Sequence, residues 1–262
     1  NALLVSPKLA QKLEVAHKIA SRGGEHGQVR STVVDVALNG SKVTAAAWTL
    51  PGQAENSVVL PLGYGRTLAG FTGSNKGFNA YAERTSNALW VASDGKITPT
   101  GDDYPLACTQ YHFNMEGRQI LSTGTLAEYQ KNPAFAHEGA EAPTKDNSLY
   151  KEFEYKGYAW GMAIDLNKCN GCNACVVACQ SENNIPVVGK DQVMRGREMH
   201  WIRIDRYYTN SESATSGKAT GDPTEYNPSL DNPQTFFQPV PCQQCENAPC
   251  EQVCPVGATF HS

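Results

Sequence analysis

The chain opens on apolar positions that recur every three to four residues. Leu9, Leu13, Ala16 and Ile19 share one face of a helix predicted over residues 6–20, with Ser6 placed to cap it and Pro7 in its first turn. Gly23-Gly24 is the expected stop. From Gln28 the period switches to two. Residues 32–38 and 43–50 flank Asn39-Gly40, a turn pair that tolerates positive φ and predicts a hairpin. Pro51-Gly52 turns the chain into a third apolar strand at 57–62. Glycines 63, 65, 70, 73 and 77 follow, then short strand-like pieces at 89–91 and 96–99. Residues 1–110 therefore read as a β-rich unit with one leading helix.

Between 111 and 158 the period is lost, and polar residues such as His112, Glu116, His137 and Lys145 are interspersed with few clustered apolars. Leu126–Lys131 is a candidate helical turn ahead of Asn132-Pro133. The segment reads as a connection laid over the surface or around a partner. A second unit spans 159–262. Residues 162–166 predict a strand, residues 201–208 alternate as a strand should, and 209–235 are rich in Ser, Thr, Asn, Gly and Pro, which marks an inserted loop. Seven of the fifteen prolines lie between Pro223 and Pro255, so irregular backbone is expected there.

Composition narrows the class. At 262 residues, and about 150 per domain, one or two domains are expected. The 40% apolar and 18% charged content excludes disorder and coiled coil. With 23 glycines, 15 prolines and a mean hydropathy of -0.44, the fold should be turn-rich with few long helices. A formal charge of -4 and a pI near 5.9 give no footprint for nucleic acid. No apolar run approaches the ~20 residues of a membrane span. The first residue is Asn1 with no leader before it, which reads as a processed or truncated start.

The cysteines change the picture. Eight of nine fall in two tight groups: Cys169, Cys172, Cys175 and Cys179, then Cys242, Cys245, Cys250 and Cys254. Disulfide frameworks spread their cysteines so that each bridge closes a loop, whereas four thiols within eleven residues point to metal. The first group is C-x2-C-x2-C-x3-C and the second is C-x2-C-x4-C-x3-C-P. The first has the bacterial ferredoxin spacing and the second keeps its ending. Three thiolates on one short loop can wrap three corners of an iron–sulfur cubane, and the fourth corner needs a thiolate from elsewhere. Zinc sites instead bring two close pairs together across a longer spacer, so zinc-stapled loops acting as a binding module are the weaker alternative.

Other candidates carry less. Gly63-Tyr64-Gly65 begins like a dinucleotide loop, but Leu68 stands where the third glycine belongs, so turn glycines are expected. His17, His112 and His200 show no ligand spacing and read as packing or surface residues. Cys108 stands apart and reads as a small buried hydrophobe. The arginines of 201–208 are first of all strand residues, with shielding of cluster charge as a second use.

The run from Cys169 to Gln180 with Asn183-Asn184-Ile185-Pro186, and Pro241-Cys242-Gln243-Gln244-Cys245 through Ala248-Pro249-Cys250 to Cys254-Pro255, resemble the iron–sulfur subunits of the DMSO and polysulfide reductase family. The helix from Ser6, the hairpin at Asn39-Gly40, and Pro51-Gly52-Gln53 into Leu62-Gly63-Tyr64-Gly65 resemble the C-terminal barrel of molybdopterin oxidoreductases. That order in one chain, with 160–185 and the run Arg195 to Arg203, is similar to the fused B subunit of bacterial alternative complex III. The resemblance implies a mixed fold: a β-barrel remnant over 1–110, a connecting segment over 111–158 and a partial α+β ferredoxin-like domain over 159–262. It implies a non-catalytic subunit that relays electrons through [4Fe–4S] clusters, with a [3Fe–4S] cluster also seen as compatible, and no molybdopterin. The implied partners are a quinol-oxidising membrane subunit and cytochrome c subunits, at the periplasmic face of a bacterial membrane.

Family members carry four such motifs, pairing first with fourth and second with third. This chain shows two and reaches Ser262 eight residues after Cys254, so it reads as a fragment whose clusters draw on the remainder of its own chain. Pairing the two motifs with each other, which uses all eight thiols for two clusters, is the alternative. A subunit of a true molybdopterin reductase or dehydrogenase is the rival functional reading.

Overall fold

The computed structural model describes residues 1–19, 28–110, 120–137, 145–147, 150–151, 153–159, 161–209 and 230–260. Gly23-Gly24, His112, Glu116, Trp160 and most of the expected 209–235 loop lie outside the described residues.

The Asn39-Gly40 pair does what its chemistry allows. Both residues take positive φ, +50 and +83, and reverse the chain between β3 (Gln28–Leu38) and β4 (Ser41–Thr49). The register sets Val34 against Ala45 and Val36 against Val43, so the buried side chains of both strands lie toward one core. β1 (Leu3–Val5) runs parallel to β4 and antiparallel to the two-residue β5 (Val58–Val59). β6 (Lys96–Ala107) covers the other edge of β3, with a register shift between Thr32 and Val34. β2 (His17–Ile19) shares the β4 edge of β3 at its opposite end. The sheet is an open path of pairings among the described residues. Leu3, Val5 and Val34 are fully buried, each stabilising by roughly 1.5–3 kcal/mol.

The leading helix is shorter than its apolar spacing predicts. α1 (Pro7–Lys12) is capped by Ser6, whose hydroxyl accepts from Leu9 N at 3.1 Å, but it stops after Lys12. Glu14 turns left-handed at φ +52, its amide bonds back to Gln11 and that of Val15 to Ala10. This is a Schellman ending with glutamate where glycine is usual, so Ala16 and Ile19 leave the helix for the turn and strand beyond it. Residues 89–91 form no strand; Leu89, Trp90 and Val91 are exposed, and the Arg84 guanidinium sits 4.6 Å over the Trp90 ring. The strand expected at 96–99 extends to Ala107 because β3 offers it a continuous edge. The third strand is cut to Val58–Val59. Gly65, at φ +71, is a turn glycine: a Cβ there would overlap the Phe78–Asn79 backbone. α2 (Gly70–Gly73) follows that loop. α3 (Leu126–Lys131) is the expected helical turn, closed by a capping box between Thr125 and Glu128.

The second unit holds α4 (Ala174–Glu182), α5 (Gly189–Met194), the antiparallel pair β7 (Ile202–Thr209) and β8 (Gln234–Pro241), and α6 (Pro249–Gln252). Residues 162–166 are not a strand: among the described residues they pair with no other strand, and Met162 is 67% exposed. The units touch at defined points. The Gln110 side-chain amide donates to Arg206 O and accepts from Arg206 N, both at 2.8 Å, as a neighbouring strand would. Gly52 N donates to Leu230 O at 2.9 Å, and the Lys190 ammonium lies 3.8 Å from the Tyr104 ring centroid. No helix among the described residues is long and apolar enough to cross a membrane.

His17 is a packing residue, as expected. Thr49 N donates to its Nε2 at 3.0 Å, which puts the proton on Nδ1, 2.8 Å from Ser31 Oγ; Ser31 in turn donates to the Ala47 carbonyl. Burial pushes the imidazole down to about 4. The unfolded chain therefore binds a proton that the folded chain refuses between about pH 6.5 and 4. The resulting stability is present above that window and is lost as pH falls through it, by at most about 3 kcal/mol. Denaturant unfolding of wild type and His17→Gln should differ most near neutrality and converge toward pH 4; parallel profiles would show that His17 does not titrate this way.

Candidate metal centre

Both cysteine groups sit on one backbone scheme. Ahead of the first, the Asp165 carbonyl accepts from the amides of Lys168 and Cys169 at 3.1 and 3.0 Å and sets the chain into the loop. Gly171, the residue before Cys172, is left-handed at φ +70, and Asn173 follows at φ +62. α4 then begins, with Cys175 in its first turn and Cys179 one turn further on. Ahead of the second group, β8 ends at Pro241 and the Cys242 amide donates to Trp201 O at 3.1 Å. Gln244, the residue before Cys245, is left-handed at φ +49. α6 carries Cys250 as its second residue, and Cys254 follows four residues later. Each C-x2-C is thus turned by a left-handed residue in the same place, and each third cysteine opens a helix.

The β7–β8 pair holds the two loops. The second is its direct continuation, and the first rests on it: a Cβ on Gly171 would lie 3.9 Å from Phe237 and 4.0 Å from Ile204. α4 turns Val176 inward and ends in a second Schellman turn, with Asn184 left-handed at φ +50 and Ile185 N bonded to Gln180 O at 3.0 Å. The connecting segment reaches the second loop. Tyr155 donates to the Glu246 carboxylate, and Tyr150 to Gln252 Oε1 at 2.9 Å.

All nine cysteines are free thiols. Cys169, Cys179 and Cys254 are half-buried, and Cys172, Cys175, Cys242, Cys245 and Cys250 are exposed. The fourth cysteine of each group receives an N–H from the residue four positions on. The Asn183 side-chain amide lies 3.6 Å from Cys179 Sγ, and the Ala258 amide 3.2 Å from Cys254 Sγ. Donation to sulfur, led by the Thr259 hydroxyl and joined by backbone amides, pulls the Cys254 thiol down to about 7.

Not everything named in the sequence belongs here. Cys108 lies just past β6, outside both loops, and burial pushes its thiol up to about 11. His200 is an exposed surface residue. Arg203 is committed to the buried Asp205, with Nε 2.8 and 3.0 Å from its oxygens, so it is a strand residue first. Conversely, the roles of Gln244, Asn183 and the turn after Cys254 emerge only in three dimensions; no residue type or spacing marks them.

Among the described residues no three His, Cys, Asp or Glu side chains converge to hold one metal ion. Thiolates repel one another, so drawing such a set together is the work of the iron and sulfide that it binds. The donor chemistry fits that group: soft thiols in two sets of four, two left-handed loops shaped alike, and N–H groups directed at sulfur.

These features define an iron–sulfur domain of the ferredoxin type. Residues 168–258 match the 4Fe–4S dicluster domain family, and the chain carries [4Fe–4S] clusters of the electron-transfer kind. It is similar to the iron–sulfur cluster-binding subunit of menaquinone reductase from Nitratidesulfovibrio vulgaris, 40% identical over 112 residues, which is 43% of this chain and 36% of that protein. A selenate reductase subunit from Mesobacillus selenatarsenatis is 36% identical over 103 residues, 39% of this chain and 26% of that protein. The Hdr-like menaquinol oxidoreductase iron–sulfur subunit 1 of Archaeoglobus fulgidus is 30% identical over 115 residues, 38% and 35% of the two chains. The chain thus spans about a third of the length of the curated relatives it matches.

The paired left-handed residues give a reciprocal test. Gly171→Ala should destabilise by about 1–2 kcal/mol, since a Cβ is strained at positive φ, while Gln244→Gly should stabilise by about 1 kcal/mol. Denaturant unfolding measures both; effects of the same sign would show that the loops do not share this turn.

Proposed function

We propose that this chain is a non-catalytic subunit that passes single electrons through [4Fe–4S] clusters held by Cys169, Cys172, Cys175, Cys179, Cys242, Cys245, Cys250 and Cys254. In this reading it works in a membrane-associated respiratory complex that oxidises quinol, in the manner of alternative complex III. The observation that carries it is the repetition of one loop-and-helix scheme at both cysteine groups. The names of two relatives, a menaquinone reductase subunit and a menaquinol oxidoreductase subunit, support the link to quinone.

The proposal assigns 159–262 to the ferredoxin-like domain, 111–158 to a connecting segment and 1–110 to a scaffold of the molybdopterin-oxidoreductase barrel kind that binds no pterin. Its partners would be a quinol-oxidising membrane subunit and cytochrome c subunits on the periplasmic face of a bacterial membrane. The protein's own contribution is to hold the ligands, limit access of water and direct hydrogen bonds at sulfur. The second reading, a subunit of a molybdopterin reductase, is favoured by the similarity to a selenate reductase subunit.

Iron, acid-labile sulfide, molybdenum and zinc in the anaerobically purified complex, with EPR before and after reduction, separate these readings. Equal iron and sulfide, reduced-cluster signals and no molybdenum are expected. Stoichiometric molybdenum would move the assignment to the second reading, and zinc without iron would overturn both.

A further inference from the structure

The connecting segment, expected to lie over the surface or around a partner, reaches the protein's own second cysteine group. Two of its side chains meet that loop between the cysteines. The Tyr155 hydroxyl donates to the carboxylate of Glu246, the residue after Cys245. The Tyr150 hydroxyl donates to Gln252 Oε1 at 2.9 Å, midway between Cys250 and Cys254. The Phe153 ring stands edge-on to the Tyr155 ring, with centroids 5.1 Å apart and planes at 70°, which limits where that hydroxyl can point. The bonds span 91 and 102 positions of the chain, so neither belongs to local secondary structure. The loop they grip has little regular structure of its own: β8 ends at Pro241, α6 has four residues, and Cys242, Cys245 and Cys250 are exposed. A segment of that kind opens readily unless something outside it holds it closed.

We propose that Tyr150 and Tyr155 are positioning residues for the second cysteine group, clamping its loop from outside so that Cys245, Cys250 and Cys254 keep their places as ligands. Opening of the loop carries these thiols apart, and a hydroxyl bound to a residue between them opposes that opening. The bond to Glu246 is the stronger kind, because its acceptor is a carboxylate. The coupling is reciprocal: whatever holds the loop closed for its ligand is held in place by the filled loop. The inference rests on the reading of these cysteines as [4Fe–4S] ligands, and it adds two residues from outside both cysteine groups.

Iron release from the anaerobically purified complex to excess ferrozine, followed by absorbance, tests the clamp. Tyr150→Phe combined with Tyr155→Phe keeps both rings and should speed initial release about tenfold. Tyr158→Phe, at a fully exposed tyrosine, should leave the rate unchanged. Glu246→Gln keeps an oxygen acceptor and should stay near wild type. Glu246→Ala should match Tyr155→Phe, and combining those two should add nothing further. In the iron-loaded double phenylalanine variant, trypsin should cut after Lys151 and Lys156, both exposed, faster than in wild type. Wild-type release from the double variant, additive effects of Tyr155→Phe and Glu246→Ala, or an unchanged trypsin pattern would overturn the clamp. A wild-type complex without iron would instead overturn the cluster reading beneath it.

Discussion

The ladder between β7 and β8, from the Ile202–Pro241 pair to the Thr209–Gln234 pair, is the constraint from which the cysteine loops hang. Its last strand runs directly into Cys242, whose amide is fixed to Trp201 O. Its face receives the first loop, with Gly171 over Ile204 and Phe237. A two-stranded ribbon is marginal by itself in water. Here α4 packs on β7, and the Gln110 amide occupies the free edge at Arg206 as a third strand would. The position of eight thiols therefore depends on one short ladder and on what props it.

The N-terminal sheet supplies part of that support and is built around a core of its own. Its core is the β1–β3–β4 set of valines, leucine and alanines with Phe78 and Ala80, closed by the His17–Ser31–Ala47 chain of hydrogen bonds at one end. Among the described residues the polar contacts joining it to the cysteine domain include the Gln110 pair, Gly52 with Leu230, and Lys190 over Tyr104. Such contacts fix register between units better than they bind them together, because each exchanges a hydrogen bond to water for one within the protein.

Much of this was legible where residue chemistry is local. Asn39-Gly40 announces its hairpin, Thr125 with Glu128 caps its helix, and the cysteine spacing names its metal class without any structure. The parts that were not legible depend on partners. Residues 162–166 alternate like a strand, but a strand exists only as half of a pair, and among the described residues they form none. Glu14 and Gln244 are left-handed without being glycine or asparagine, so nothing in their identity marks the turn each makes. The donors around Cys254 are mostly backbone amides, which every residue but proline carries.

The order of the parts along the chain governs how the domain is born. Four thiols are complete by Cys179, the other four only by Cys254, and the ribbon that supports both sets lies between them with the excursion from Thr209 to Gln234 inside it. If each fourth cysteine crosses to the other set, neither centre can be finished on a growing chain until the whole span has left the ribosome. Maturation is then a late, all-or-nothing event. Until it happens the cell must guard a length of polypeptide whose reduced sulfurs are open to oxygen and stray metals.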